Sequence, residues 1–189
     1  MPAPKLTRVP RERLAGPIGA AHDQSMSLRG DATFFEIFGH HPELYRWYTE
    51  SFYGEVFRGG IVDRRIKELA RYRLSTLHGC RFCNQGNRAD ALAAGLSEDD
   101  LDRIHDYESA GFSAPEKAAL ALADRLALTA PDGELDDALY HRLREHFGDA
   151  QILELGLLLG VLAGMAKFLF AFDLVEKERD CPFPGANRA

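Results

Sequence analysis

The chain has 189 residues, 46% of them hydrophobic and 28% charged, with a formal net charge of −6 and three cysteines. That is about one domain of ordinary soluble composition, which excludes a disordered tail protein, a collagen-like repeat and a low-complexity linker. The acidic balance argues against a general nucleic-acid binder, and three cysteines form no disulfide framework but suit a reducing compartment.

In chain order, the opening Met-Pro-Ala-Pro-Lys-Leu-Thr-Arg carries no apolar stretch of a secretory signal, and a cytoplasmic location is expected. Pro2, Pro4, Pro10 and Pro17 with scattered glycines make residues 1–30 read as an arm or loosely packed lead-in. From Asp31 the aromatic density rises, and Pro42 suits the first position of a helix running to about Phe57. Gly59-Gly60 breaks the chain, Asp63 caps a helix through Leu77, and a second helix runs from about Cys80 to Gly95. Ser97 with Asp100 and Ser113 with Glu116 form capping boxes for helices to about Ser109 and Thr129. A turn at Pro131-Asp132-Gly133 leads to a helix over 134–147, ended by Gly148. Asp149 opens a last long helix to about Glu176, and residues 177–189 form a tail that is non-helical from Asp180 on. Its apolar run, Leu155 to Ala166, is 12 residues long, short of the roughly 20 that cross a membrane. With 25 Leu and 25 Ala against 16 Val, Ile and Thr together, the expected fold is all-α: one compact bundle of seven or eight helices over 31–176.

Cys80-Arg81-Phe82-Cys83 is a CxxC. A zinc site would need a second pair of Cys or His ligands, and no second CxxC or HxxxH occurs, so no metal is expected. A thioredoxin-like site would follow a strand, whereas Ile66, Leu69, Ala70 and Leu77 place a helix before it. Two readings remain. One is a redox dithiol at a helix start, where the helix dipole and Arg81 favour a thiolate that attacks a peroxide oxygen and is resolved by its partner. The other is a pair of small buried fillers. Cys80, Cys83, Asn84 and Asn87 share one face of their helix, and Glu68, Tyr72, Ser75 and Gly79 share one face of the preceding helix. Folded together, these faces set a carboxylate, a phenol and a hydroxyl toward the dithiol, with Glu68 a candidate base if burial raises its pKa.

The spacing of Glu68, Ser75, Gly79 and Cys80-x-x-Cys83 resembles the signature of the alkylhydroperoxidase AhpD-like, or carboxymuconolactone decarboxylase, family. The likeness extends over about residues 30–176, through Gly60 to Leu69, Glu116 to Leu120 and Phe147 to Leu155. The resemblance implies an all-α homo-oligomer (dimer, trimer or hexamer) that reduces hydroperoxides through a dithiol–disulfide cycle, regenerated by an external dithiol donor. It needs no cofactor and has no nucleic-acid or membrane partner. By the same resemblance Cys83 is the peroxidatic cysteine, Cys80 its disulfide partner and proton donor, and Glu68 the base of a proton relay with Ser75. At the family's last relay position, a His, this chain has Asn87, and an amide carries no proton at neutral pH. His78, beside Cys80, either compensates or satisfies carbonyls at its helix end. Two other readings stand beside the peroxidase: a decarboxylase acting on a lactone acid, and a redox-sensing oligomer without enzymatic activity.

Outside the motif, Gly156, Gly160 and Gly164 recur every four residues, a spacing for close helix approach within the bundle or between subunits. Glu36, His40 and His41 are read as a polar helix end rather than metal ligands, and Cys181 as a bystander in a disordered tail. No HExxH, GxSxG, Walker A or dinucleotide motif occurs.

Overall fold

The structure, a computed structural model, describes residues 1–130 and 132–183; Pro131 of the expected turn and residues 184–189 of the tail lie outside them. All regular structure among these residues is helical. Helix α1, Pro17–Arg29, lies within the stretch expected to be a loose arm. Pro17 occupies the first helical turn, where its missing N–H costs nothing, and Gly30 ends the helix in the left-handed conformation (φ 69°). Val9, Leu14 and Ile18 are buried in the main core, so the lead-in is docked rather than loose.

The aromatic stretch divides into α2, Thr33–Phe38, α3, Pro42–Arg46, and a wide-turned π-helical segment, Trp47–Arg58, that continues α3 without a break. In that segment Tyr48 and Phe52 stack with ring centroids 5.6 Å apart. Next come α4, Arg64–His78, capped by the Asp63 carboxylate accepting from Arg65 N–H at 2.8 Å, and α5, Arg81–Ala93. Both expected capping boxes form, and they open α6, Glu98–Asp102, and α7, Ala114–Leu126. Helices α8, Asp137–Arg144, and α9, Asp149–Ala171, complete the chain order. The fold class is as expected, with nine α-helices rather than seven or eight among the described residues, because the aromatic region is subdivided and α1 is added. Helix α9 stops short of Glu176 because Asp173 turns left-handed (φ 54°), and the chain folds back to bury Leu174 and Val175.

Helix α4 lies between α5, α7 and α9, and is buried on every side despite its charges. Each buried cation finds a partner on a different neighbour, and buried Glu68 is held by Arg71 within α4. Lys67 Nζ reaches Glu154 of α9 at 3.0 Å, Arg73 Nε reaches Asp124 of α7 at 2.6 Å, and Arg71 Nη2 reaches Asp90 of α5 at 2.8 Å. Glu154 also accepts the N–H groups of Ile61 and Val62, closing the loop before α4. Helix α9 is apolar enough by composition and length to cross a membrane, but Leu155, Leu158 and Leu159 are fully buried in the core. Its other side, with Leu153 and Leu157, is exposed, and a Cβ at Gly156, Gly160 or Gly164 would meet open space, so the glycine stripe packs against nothing among the described residues.

Removing one partner of the Lys67–Glu154 pair leaves a buried charge unpaired. Glu154→Ala should therefore cost about 3–5 kcal/mol in urea denaturation. A loss below about 1 kcal/mol would show that the pair does not constrain the α4–α9 packing.

Candidate active site

The sharp turn between α4 and α5 places the cysteines. Gly79 ends α4 in the left-handed conformation (φ 63°), and a side chain there would meet the Cys181 Cα at 2.6 Å, so this position requires glycine on both counts. Cys80 follows as the N-cap of α5, its sulfur accepting the Cys83 N–H at 3.2 Å. The two sulfurs are bonded as a disulfide, with Cα atoms 5.2 Å apart. Cys80 is fully buried and Cys83 is half-buried in the first turn of α5, where the helix dipole favours a thiolate.

Both cysteines line a cavity of about 290 Å³. Ser75, His78 and Asn87 are on the same wall, so five of the six predicted site residues meet there. Glu68, the sixth, is 1% exposed and off the cavity wall. Its carboxylate bonds Arg71 Nη2, and Arg64 Nε lies 3.5 Å away. Burial pushes the Glu68 pKa up, and Arg71 offsets only part of that rise. The same Arg71 Nη2 holds Asp90, and both Arg71 and Asp90 line the cavity. Glu68 thus connects to the dithiol chamber through a guanidinium.

Two expectations about side-chain direction are corrected. Tyr72 turns away from the dithiol into a second apolar cluster with Leu69 and Ala91, its hydroxyl accepting from Arg88. The phenols on the cavity wall are instead Tyr48 and Tyr53, from the π-helical segment. Asn84 does not line the cavity; its amide donates to Glu178 at 3.4 Å. His78 Nε2 accepts the Leu128 N–H at 2.9 Å, so this nitrogen bonds no carbonyl at its helix end. Burial lowers its pKa to about 4, so the ring is neutral at physiological pH.

Cys181 is not a disordered bystander. It is buried against Gly79, and its thiol donates to the His78 carbonyl at 3.1 Å. The segment around it pins the start of α5. Phe82 N–H donates to the Glu176 carbonyl at 3.3 Å, and Glu178 N–H to the Gly79 carbonyl at 2.9 Å. Glu36, His40 and His41 have separate partners in Arg8, the Thr7 carbonyl and Leu44 N–H. The sequence reading missed Arg29, Arg71 and Asp90. Arg71 and Asp90 carried a signal, lying three residues from Glu68 and Asn87 on their helices, whereas Arg29 lies in the supposed arm.

Residues 42–125 match the carboxymuconolactone decarboxylase family. The chain is 35% identical over 99 residues to the uncharacterized protein YdfG of Bacillus subtilis (strain 168), covering 52% of this chain and 67% of that protein. It is 31% identical over 114 residues to YnjA of Escherichia coli (strain K12), covering 60% of this chain and 62% of that protein. In fold it is similar to an alkylhydroperoxidase AhpD core, a peroxidase-related protein from Ralstonia eutropha JMP134, with a TM-score of 0.71 and 15% identity over 95% of both chains.

A His that is neutral when folded and ordinary when unfolded stabilises fully above about pH 6.5, and that stability is lost as pH falls toward about 4. His78 should account for about 3 kcal/mol of acid destabilisation in that window. His78→Gln, which keeps an acceptor for Leu128 N–H, should flatten the stability–pH curve there. Identical curves for the two proteins would remove His78 as the cause.

Proposed function

This chain belongs to the carboxymuconolactone decarboxylase family, with the AhpD-like helical fold, and on that footing we propose that it is a thiol-dependent peroxidase using Cys80 and Cys83. The observation that carries this reading is a CxxC pair at disulfide distance, opening on a largely apolar cavity through its more exposed member, Cys83.

The Cys83 thiolate attacks the outer oxygen of the hydroperoxide; the O–O bond breaks and the alcohol leaves with a proton. The resulting sulfenic acid is attacked by the Cys80 sulfur, water leaves, and the disulfide closes. The net change is ROOH plus a dithiol to ROH, water and a disulfide. An external dithiol donor then attacks the half-exposed Cys83 sulfur. Cys80 leaves as a thiolate at the N-cap, where the Cys83 N–H and the helix dipole stabilise it. Glu68 is the base in this reading, a buried carboxyl with a raised pKa; the Arg71 guanidinium between it and the chamber passes no proton itself, so the thiol proton reaches Glu68 through water. Ser75 and Asn87 orient the exchanging groups, and the Asn87 amide carries no proton. The cycle requires a reducing compartment such as the cytoplasm. The assembly is a homo-oligomer seamed along the exposed face of α9 at Leu153, Leu157 and Gly160. Leu157→Glu should lower the mass seen by sedimentation, and an unchanged mass would place the seam elsewhere.

Cys83→Ser should abolish hydroperoxide consumption, Glu68→Gln should slow it about 100-fold, and Asn87→His should raise it. Peroxide turnover persisting in Cys83→Ser would defeat the proposal. Turnover of a lactone acid that survives alkylation of both thiols would point to decarboxylation. A single oxidation that no dithiol donor reverses would point to a sensor.

A further inference from the structure

The dithiol mechanism leaves the cavity's second cation, Arg29, unused. Arg29 comes from the last turn of α1, lines the cavity and lies over the face of Phe82, 4.7 Å from the ring centroid. Gly86 of α5 makes room for it, since a side chain there would meet Arg29 Nη2 at 2.8 Å. Its hydrogen bonding is confined to Ser25 Oγ at 3.3 Å, and no carboxylate among the described residues pairs with it. Its Nε–H is buried with no acceptor among the described residues. Arg71, itself 5% exposed, also leaves a buried Nε–H without a partner, although its Nη2 serves two carboxylates. Buried N–H groups are nearly always satisfied, so two such guanidinium donors on one cavity call for an acceptor that the described residues do not supply.

The charges on the wall favour an anion. Arg29 and Arg71 face a single lining carboxylate, Asp90, which Arg71 already holds; Glu68 lies behind Arg71, and His78 is neutral. Burial holds the Arg29 pKa below its ordinary value, with Asp90 and Asp31 offsetting part of that drop, so an incoming anion would relieve a strained cation. The rest of the chamber is ring-lined. Phe34 lies 5.1 Å from Phe35 and 6.1 Å from Phe82, with Tyr48 and Tyr53 beyond, surfaces that take a flat arene. A volume of about 290 Å³ has room for one ring carrying a short chain.

We propose that Arg29 and Arg71 form an anion seat in the cavity, and that its ligand is a single-ring aromatic acid, with the carboxylate on the guanidinium pair and the ring among the phenylalanines. In the peroxidase reading, on which only this last step rests, the substrate is the hydroperoxide of such an acid, its O–O bond directed at Cys83.

The test uses the full chain in its disulfide form, so that no thiolate is present and no turnover is needed. Isothermal titration with 3-phenylpropanoate, 3-phenylpropan-1-ol and butanoate should show the aromatic acid binding at least tenfold more tightly than either of the others. In Arg29→Gln, which breaks no ion pair, the preference for acid over alcohol should vanish while the melting temperature holds. Equal binding of acid and alcohol by the unmodified protein would overturn the anion seat, and needs no variant to fold. A preference that survives in Arg29→Gln would overturn the role of Arg29, and equal binding of butanoate would overturn the aromatic assignment. Loss of the peroxidase reading through Cys83→Ser leaves each of these ratios measurable.

Discussion

The burial of a highly charged helix, α4, is the constraint on which the rest of the molecule depends. A buried charge without a partner is far more costly than a pair, so α4 can be central only if each neighbour supplies a counter-charge at one register. Glu154 does so from α9, Asp124 from α7 and Asp90 from α5, while Arg65 at its exposed start takes Glu116 and Asp100. The apolar faces then close around these bonds. Replacing all of them by well-packed apolar residues could serve stability equally well; what the pairs add is a single angular setting for α4.

That setting decides what faces the dithiol. With α4 held from three sides, Glu68 and Arg71 are turned toward α5, and the Arg71 guanidinium joins Glu68 to Asp90 at the cavity wall. The left-handed Gly79 reverses the chain within one residue, and Cys80 enters as the cap of the next helix. The segment after α9 then bonds to the Gly79 carbonyl and the Phe82 N–H, fixing the backbone on both sides of Cys80. The disulfide thus sits on a rigid frame, with Cys83 as its more accessible member.

The helix starts were legible because capping is local: Asp63, Ser97 and Ser113 each bond within three residues. The CxxC and its neighbours on α4 and α5 were legible because helical spacing places them on shared faces, and Ser75, Cys80, Cys83 and Asn87 do meet. Spacing failed for Tyr72, since a helix buried all round has no single inner face and its phenol joined the other cluster. It also failed for residues 1–30, where Pro17 and Gly16 read as breakers but serve as a helix start.

The sequence by itself determined the fold class, the capped helices and the dithiol, because composition, capping and i, i+3 spacing act over a few residues. Tertiary structure alone decided which charges surround the dithiol. Arg29 reaches it across more than fifty residues of chain from Cys83, and Cys181 packs against Gly79 from about a hundred residues away. Such meetings follow from how helices dock, and docking is settled by the pairing of buried charges on α4, for which no local pattern in the chain supplies the geometry.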